Sequence, residues 1–478
     1  MPQPTLYPKT ACCGNPAGSP GMAACAGGRE CRWGLPGGLL VAGLLCHCWD
    51  VDEEDTGREN MRLSDEEQAM LAGEMGPACR WAIDHQLQVG RMFDAADMVS
   101  VSQAHMMADP ESLGEAGVGF VEGLAKEGAR VTVPMITDPR GVDLSHYLPL
   151  GQTEAMAGLE RRFIAACTAM GIMMTDTCIN YQTIMPPLNG DHVAYGDTGV
   201  VIYSNSVCGA RSNFEGGPSA LAAGLTGRTP RYGLHLDEHR RATRRFVVET
   251  RPRDLMEWGV LGATIGRMAG SYWQVPVIEG IEGAPTSDEI KHFGAAMASW
   301  GSTPLFHMVS ITPECRSLAD VGGEALEATR VGAKELADLG APFSAAGEPL
   351  DVVVFAAPQL SLVEMGQVAA LCEGRSRASG TDLVVCTSAQ VYGDAARMGY
   401  VEAIEGFGGT VLTGTCFYQQ YAREIGEANG WTRLLSNSAK IVNILGGYGY
   451  RPALASMADC VASAEAGLIL AAGERGTA

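Results

Sequence analysis

The densest group of residues suited to chemistry lies in one polar segment, NSVCGARSNFEGGPSALAAGLTGRTPRYGLHLDEHR, at 205–240. Its first eleven residues supply two amides, a hydroxyl, a guanidinium and a carboxylate, from Asn205, Ser206, Arg211, Asn213 and Glu215. A guanidinium can hold a carboxylate or phosphate bidentately, and the free N–H groups of a helix start after Gly217 attract an anion. The segment therefore predicts a site that binds a small anionic substrate. The alternative is an ordinary polar loop that leads into a capped helix.

Cysteines stand in three further polar motifs, with Cys178 in TDTCINYQTIMPP, Cys416 in GTCFYQ and Cys460 in ADC. None has the CxxC spacing of a zinc ribbon, whereas the ligands of an iron–sulfur cluster can be far apart in sequence. Each cysteine taken alone is more typical of a buried core residue. In SNSAKI, Lys440 follows small polar residues, which makes it a candidate substrate contact; the alternative is a surface lysine. The sequence has no P-loop, HExxH or GxSxG motif.

Buried strands are predicted from four apolar, β-branched runs, at 129–136, 351–358, 381–388 and 409–416. Helical patterns such as 113–128 alternate with them, which predicts an α/β fold built of βαβ units with parallel sheets. Ligands in open α/β sheets bind beyond the carboxyl ends of the strands. Arg140 follows the first run and Cys416 ends the last, so we expect both at a binding site.

Composition and charge limit the kind of partner. The 478 residues are 46% hydrophobic and 19% charged, which is typical of a globular protein of two or three domains. The net charge of −21 argues against a nucleic-acid surface and against binding to an anionic membrane. A small anionic substrate is still compatible, because a few arginines can reverse the local field. We therefore expect a cytoplasmic protein with a small-molecule ligand.

Residues 1–60 differ from the rest of the chain in composition. They are rich in Gly and Pro and carry six of the fifteen cysteines. The apolar run at 34–46 is too short to span a bilayer and is similar to the core of a signal peptide, which leaves a secreted or lipid-anchored binding protein as an alternative. We expect 1–60 to be a disordered leader or a mis-called start. Ser64 and Glu67 predict a helical capping box directly after Met61.

Several blocks resemble, in the same order, the large subunit of the aconitase X family over nearly all of 61–475. The most specific is the segment at 205–240; others are SQAHMMADPESLGEAG, GYVEAIEGFGGTVLTGTC, SNSAKI and SMADCVASAEAG. The resemblance implies one catalytic region, 61–478, of aconitase-like α/β/α domains with parallel-rich sheets around a central cleft. It implies a hydro-lyase that removes water from a small hydroxy acid such as cis-3-hydroxy-L-proline or mevalonate 5-phosphate. It also implies a small swivelling subunit as the partner.

The same resemblance assigns roles to residues. By motif position, an iron–sulfur cluster would be held by Cys178, Cys416 and Cys460. The substrate's carboxylate or phosphate would be bound by Arg211 and Lys440, with Asn205, Ser206, Asn213 and Arg140 as further contacts. Ser102 and His105 lie in a matching block and are expected at the substrate; the alternative for His105 is a core histidine. The proton acceptor is left open between Glu215 and a residue of the partner subunit.

One position departs from the family's pattern. The family usually has a Pro-His pair after the strand at 351–357, whereas this chain has Gln359 in the histidine position. Glutamine cannot titrate, so an acid–base role is lost there. This departure favours an alternative function, a non-catalytic or regulatory relative that has lost cluster chemistry.

Overall fold

Short parallel strands alternate with helices along residues 61–107 and 109–472, the part of the chain that this computed structural model describes. These residues belong to one compact unit, Arg58–Ala478, and the expectations for 1–60 lie outside them. The predicted capping box is formed, because Ser64 and Glu67 each accept the other's backbone N–H. Within the described residues, no helix combines the length and apolar character needed to cross a bilayer.

The first region contains six helices and five strands. They are α1 (Asp65–Ala72), α2 (Pro77–Met92), β1 (Met98–Ser100), β2 (Ala104–Met106), α3 (Pro110–Lys126), β3 (Met135–Thr137), α4 (Glu154–Ala169), β4 (Ala194–Tyr195), α5 (Thr198–Tyr203), α6 (Gly217–Thr226) and β5 (Arg228–Pro230). Three strands form a parallel sheet in the order β3-β2-β4, and β1 pairs with β5 antiparallel. The strand predicted at 129–136 is much shorter than expected. Pro134 has no N–H to donate, and the N–H groups of Val131 and Thr132 bond outside the sheet.

The second region is built around a four-stranded parallel sheet. Its elements are β6 (Arg244–Val248), α7 (Leu255–Ala269), β7 (Pro276–Glu279), α8 (Ser287–Gly301), β8 (His307–Met308), β9 (Ala328–Val331) and α9 (Ala333–Gly340). The strand order is β8-β7-β6-β9.

The third region contains the largest sheet of the described residues. It has five parallel strands, and six helices lie between or after them along the chain. They are β10 (Val352–Leu360), α10 (Leu362–Cys372), β11 (Asp382–Thr387), α11 (Ala389–Arg397), α12 (Tyr400–Phe407), β12 (Thr410–Thr413), α13 (Ala422–Asn429), β13 (Arg433–Ser436), α14 (Ala439–Leu445), β14 (Arg451–Leu454) and α15 (Met457–Ala466). The strand order is β12-β11-β10-β13-β14. The predicted α/β class with parallel sheets is confirmed.

The central strand β10 shows how this sheet is buried. All nine of its residues are buried, as expected for a parallel strand covered on both faces. Val353 and Phe355 face a cluster that includes α10, α12 and α15. Val352 and Val354, which alternate with them, face a second cluster that includes α13 and α14. The sheet therefore lies between two helical layers, the α/β/α arrangement predicted above.

Helices α7 and α8 pack with their backbones in close contact, which requires glycine at the crossing. A Cβ atom added at Gly262 would collide with the backbone carbonyl of Phe293, and one added at Gly266 would meet the backbone of Met297. Because both obstacles are backbone atoms, a side-chain rotation cannot relieve the collision.

We expect Gly262→Ala to lower the free energy of unfolding by about 1–3 kcal/mol or more, because the helices must separate. The control is Gly119→Ala on the exposed face of α3, where an added Cβ meets nothing within 4 Å. There alanine should stabilise by up to about 1 kcal/mol through helix propensity. Urea unfolding of both variants measures the difference, and equal effects would contradict the close packing of α7 on α8.

Candidate active site

The carboxyl ends of strands from the first and third regions meet at one place. Arg140, just after β3, pairs with Thr415, just after β12, in a parallel bridge, and its N–H donates to the carbonyl of Gly414 at 2.8 Å. The Arg140 guanidinium also donates to the carbonyl of Thr413 at 3.1 Å and lies 3.1 Å from Asp176. Segments more than 200 residues apart in sequence are thereby brought together at the edge where open α/β sheets bind ligands.

Two of the predicted cysteines form a pair at this edge. Cys178 and Cys416 are 3% and 1% exposed, and their thiols are neighbours in the buried site. Burial, together with the neighbouring Cys416, raises the pKa of Cys178 well above its ordinary value. In the protein alone Cys178 is therefore a thiol rather than a thiolate. We refer to Cys178 and Cys416 as the thiol pair.

A buried ion pair lies beside the thiol pair. The Lys440 ammonium is 3.4 Å from a carboxylate oxygen of Asp197, and the two side chains are 4% and 2% exposed. Burial opposes the charge of Lys440, but the neighbouring Asp197 carboxylate outweighs it, and the lysine pKa is raised. Burial likewise opposes the charge of Asp197, but Lys440 and the N–H of Val200 hold its pKa below the ordinary value. Lys440 also lies 5.3 Å from the centre of the Tyr418 ring. The site thus contains a fixed positive charge.

A buried carboxyl group completes the site. One oxygen of Asp138 accepts a 2.6 Å hydrogen bond from Gln419, and the other, 3.5 Å from Nε2 of His105, has no hydrogen-bond partner. Burial, with Asp197 and Cys178 nearby, raises the pKa of Asp138 well above its ordinary value, which favours the protonated form of this group. Nε2 of His105 is 2.9 Å from the carbonyl of Thr177, which makes it the protonated nitrogen.

Five predicted residues come together here: His105, Arg140, Cys178, Cys416 and Lys440. In the segment at 205–240, the predicted amides and the predicted hydroxyl form hydrogen bonds with backbone groups instead. Asn205 bonds the carbonyls of Ser212 and Pro304 and the N–H of Ser212. The hydroxyl of Ser206 accepts from the N–H of Phe306. These two lie in one turn of π-helix, Ser204–Cys208, and their side chains satisfy backbone groups.

Four further predicted residues are also placed outside the group around the thiol pair. Asn213 bonds the backbone of Tyr232 and Leu234, and Arg211 bonds the carbonyl of His235 and the carboxylate of Asp237. Ser102 is exposed and bonds the carbonyl of His192. Glu215 is buried and accepts from the hydroxyl of Thr229 at 2.8 Å. Their roles at a substrate remain predictions that these contacts do not support.

The third predicted metal ligand is separated from the thiol pair. Cys460 lies in α15, its thiol is 3.7 Å from the carbonyl of Ala455, and the charges that affect its pKa are those of Asp459 and Asp254. Among the described residues, no three or more His, Cys, Asp or Glu side chains are arranged to hold a metal ion. The donor set of a cluster held by Cys178, Cys416 and Cys460 is therefore not assembled in this structure.

Sequence reasoning placed Asp138 after a strand, as it did Arg140, but assigned it no role, and it missed Asp197, Tyr418 and Gln419 as site residues. Asp138 directly follows the strand that ends at Thr137, and that position was a usable signal. Tyr418 and Gln419 stand beside Cys416 in the motif GTCFYQ. Asp197 is an N-cap residue, since its side chain accepts from the N–H of Val200, and this capping role alone explains an aspartate there.

We expect Lys440→Met to lower the free energy of unfolding by about 3–5 kcal/mol, because it leaves the Asp197 carboxylate buried without its counter-charge. The double variant with Asp197→Asn should regain much of this loss, since asparagine keeps an oxygen for the Val200 cap. Urea unfolding of the two single variants and the double variant gives the coupling energy. Additive effects would show that the two charges do not stabilise each other.

A second prediction concerns pH. Burial raises the pKa of Glu215 to about 7 from an ordinary value of 4.5. The folded protein therefore holds this proton more tightly than the unfolded chain, so its stabilising effect is complete below pH 4.5 and is lost as pH rises to about 7. The difference corresponds to about 3 kcal/mol. Glu215→Gln, which keeps an acceptor for Thr229, should lack this loss in a pH series of unfolding experiments. Parallel profiles for the two proteins would contradict a buried neutral carboxyl.

Comparisons with known proteins agree with this architecture. Family models for the first, second and third domains of aconitase X match residues 60–238, 242–340 and 350–466. These ranges follow the three regions described above.

Individual relatives match over most of their length. The chain is 36% identical over 382 residues to the phosphomevalonate dehydratase large subunit of Methanothermobacter thermautotrophicus, covering 80% of this chain and 93% of that protein. It is 33% identical over 414 residues to the cis-3-hydroxy-L-proline dehydratase of Pseudomonas aeruginosa, covering 85% and 70%. The crystal structure of Thermococcus kodakaraensis aconitase X in its holo-form superposes with a TM-score of 0.77 at 29% identity, covering 84% of this chain and 100% of that chain. The resemblance predicted from the motifs is confirmed, and the chain belongs to the aconitase X family.

Proposed function

We propose that this chain is the catalytic subunit of a hydro-lyase that removes water from a small hydroxy acid. The observation that carries the proposal is the placement of a charged ammonium and a neutral carboxylic acid, Lys440 and Asp138, around one buried thiol pair. Relatives named as dehydratases support the reaction class. Loss of water needs both an anchored substrate and a proton for the departing hydroxyl group, and these two residues supply them.

Lys440 is suited to hold the anionic group of the substrate, because its charge is maintained by Asp197 in a site of low polarity. Arg140 is a second cation at the same strand ends, although it already contacts Asp176. A bound carboxylate or phosphate would add counter-charge to a region where these cations are otherwise balanced only by buried aspartates.

Asp138 is suited to act as the general acid. One of its oxygens has no hydrogen-bond partner among the described residues, and burial raises its pKa, which favours the protonated form. Donation of that proton lets the substrate hydroxyl leave as water. For the proton removed from carbon, the position of Glu215 beside Thr229 favours the other predicted source, a residue of the small subunit.

We also propose an iron centre with Cys178 and Cys416 as ligands. The described residues do not group Cys460 with these two in a metal-binding set, so its role as the third ligand stays a prediction. When bound, such a centre would act as a Lewis acid on the substrate hydroxyl.

For the substrate, we propose mevalonate 5-phosphate first and cis-3-hydroxy-L-proline second. The relatives named phosphomevalonate dehydratase large subunits are covered over 93% and 94% of their length in two cases, whereas the hydroxyproline dehydratase of Pseudomonas aeruginosa is covered over 70%. The name "large subunit" also supports a small-subunit partner for this chain. We propose a cytoplasmic heterodimer that binds neither nucleic acid nor membrane, in line with the net charge of −21.

The alternative is a relative that keeps the fold without the chemistry. It is favoured by the separation of Cys460 from the thiol pair and by Gln359 in place of the usual histidine. The preserved ion pair of Lys440 and the acid Asp138 count against it.

The test is to co-express the full chain with a candidate small subunit, purify the complex without air, and measure dehydration of both substrates. Asp138→Asn should lower kcat by about 10²–10⁴-fold with little change in KM, because it removes a proton donor but keeps the shape. The control is Asp351→Asn at the opposite end of β10, where the carboxylate accepts from Thr432 and Arg433. Full activity of Asp138→Asn would eliminate the general-acid role.

Iron content is measured on the same proteins. Iron that is lost in Cys416→Ala and kept in Cys372→Ala, a buried cysteine of α10, would support the thiol pair as ligands. A folded complex that holds no iron and dehydrates neither substrate would favour the non-catalytic alternative. Dehydration by an iron-free complex would retain the reaction class and remove the metal from the proposal.

A further inference from the structure

We propose that Gln359 is a positioning residue that clamps the two segments carrying the thiol pair. It stands near the carboxyl end of β10 and is 0% exposed. Its side-chain amide bonds to backbone atoms in three segments that are distant in sequence. The proposal deepens the proposed function, because the thiol pair belongs to the proposed active site.

The first set of contacts holds the segment of Cys178. The side-chain carbonyl of Gln359 accepts from the N–H of Cys178 at 3.3 Å, and the backbone N–H of Gln359 donates to the Cys178 sulfur at 3.4 Å. The side-chain NH₂ donates to the carbonyl of Asp176 at 3.1 Å. Backbone and sulfur of this segment are therefore both fixed by one residue.

The second set holds the segment of Cys416. The same NH₂ group donates to the carbonyl of Thr415, the residue before Cys416, at 3.1 Å. It also lies 3.4 Å from the carbonyl of Thr387 at the end of β11. One planar amide thus connects the carbonyls of Asp176 and Thr415, and the distance between those segments sets the distance between the two thiols.

The backbone of Gln359 is itself held by a buried lysine of α8. The fully buried ammonium of Lys291 donates to the backbone carbonyl of Gln359 at 3.3 Å. Lys291 is paired with Glu364 and lies 3.1 Å from Asp288, and His292 is 2.6 Å from the other oxygen of Glu364. This ion network joins α8 to α10 and fixes the end of β10, so the clamp has a rigid base.

These contacts use both kinds of hydrogen-bonding group in the side chain of Gln359. The amide offers one acceptor and two N–H donors, whereas a neutral imidazole offers one of each. The amide can therefore accept from Cys178 and donate toward two carbonyls at once, and it does so without carrying charge. A buried amide without hydrogen-bond partners would lower the stability of the folded protein. We therefore expect these contacts to form together.

The test reads the proximity of the thiols directly, without substrate. The full chain, freed of metal by a chelator, is treated with an azodicarboxamide oxidant, and the Cys178–Cys416 disulfide is quantified by peptide mapping. Each thiol gives up a proton and an electron, the sulfurs join, and the N=N bond of the oxidant takes up both electrons and protons to become a hydrazine. Gln359→Met, which keeps the length of the side chain but not its hydrogen bonds, should form this disulfide at least about tenfold more slowly.

A matched control is Gln86→Met. Gln86 is also a buried glutamine whose amide both accepts and donates, since it accepts from Thr226 and donates to the carbonyl of Arg228, but it joins α2 to a single segment of the first region. It should lower the melting temperature without slowing the disulfide. Gln359→Glu provides a second variant of the clamp that keeps its shape. Its carboxylate would face the carbonyls of Asp176 and Thr415, and we expect the same slow rate.

Disulfide formation at the wild-type rate in both Gln359 variants would overturn the proposal, as would a wild-type protein that does not form the Cys178–Cys416 bond at all. Circular dichroism and thermal melting identify a variant that has not folded. If one Gln359 variant has not folded, the rate of disulfide formation in the other variant tests the proposal. A chain that dehydrates neither substrate but shows a clamp-dependent rate would overturn the proposed function and leave this inference intact. A decrease of kcat at constant KM in Gln359→Met would further separate positioning from substrate binding.

Discussion

The site depends on one interaction, the buried ion pair between the Lys440 ammonium and the Asp197 carboxylate. Lys440 lies in the first turn of the helix after β13, whereas Asp197 precedes the helix after β4, so their 3.4 Å ion pair joins the third region to the first. Neither charge would be tolerated there alone, because desolvation of a single ion costs several kcal/mol. The pair therefore imposes two conditions at once. The strand ends of the two regions must face each other, and the space between them must keep a positive charge that a small anion can use.

The other site residues follow from the same low polarity. Burial keeps Asp138 protonated and keeps Cys178 as a thiol, whereas Lys440 and Asp197 retain their charges because each has the other. A neutral acid and a fixed cation can thus lie close together at neutral pH. Gln359 contributes no charge, yet it determines how the backbone segments around the thiol pair are spaced.

The polar segment at 205–240 illustrates how a dense motif can mislead. Asn205, Ser206 and Asn213 combine residue types that are common in binding sites, but each satisfies backbone groups of neighbouring loops. A π-helical turn and the irregular chain after it leave N–H and C=O groups without partners of their own, and buried amides meet that requirement. A high density of polar residues in a sequence therefore indicates one of two things. It marks either backbone that needs hydrogen-bond partners or a site that binds a ligand.

The sequence by itself determined the α/β class, most of the long strands and the family. The class and the strands follow from local periodicity, and the family follows from motifs that occur in the same order along the chain, all of which are properties of short segments. The motifs also singled out Cys178, Cys416, His105, Arg140 and Lys440, whose roles at a substrate or metal stay predictions. Only the tertiary structure decided that Asp138 and Asp197 belong to the site, that Gln359 joins three segments, and that Cys460 lies apart from the thiol pair. The physical reason is that these roles depend on burial and on contacts between segments that are distant in sequence, such as Asp138 with Gln419, which are 281 residues apart. Hydrophobic periodicity fixes which face of an element is buried, but it contains no information on which distant strand end will lie opposite.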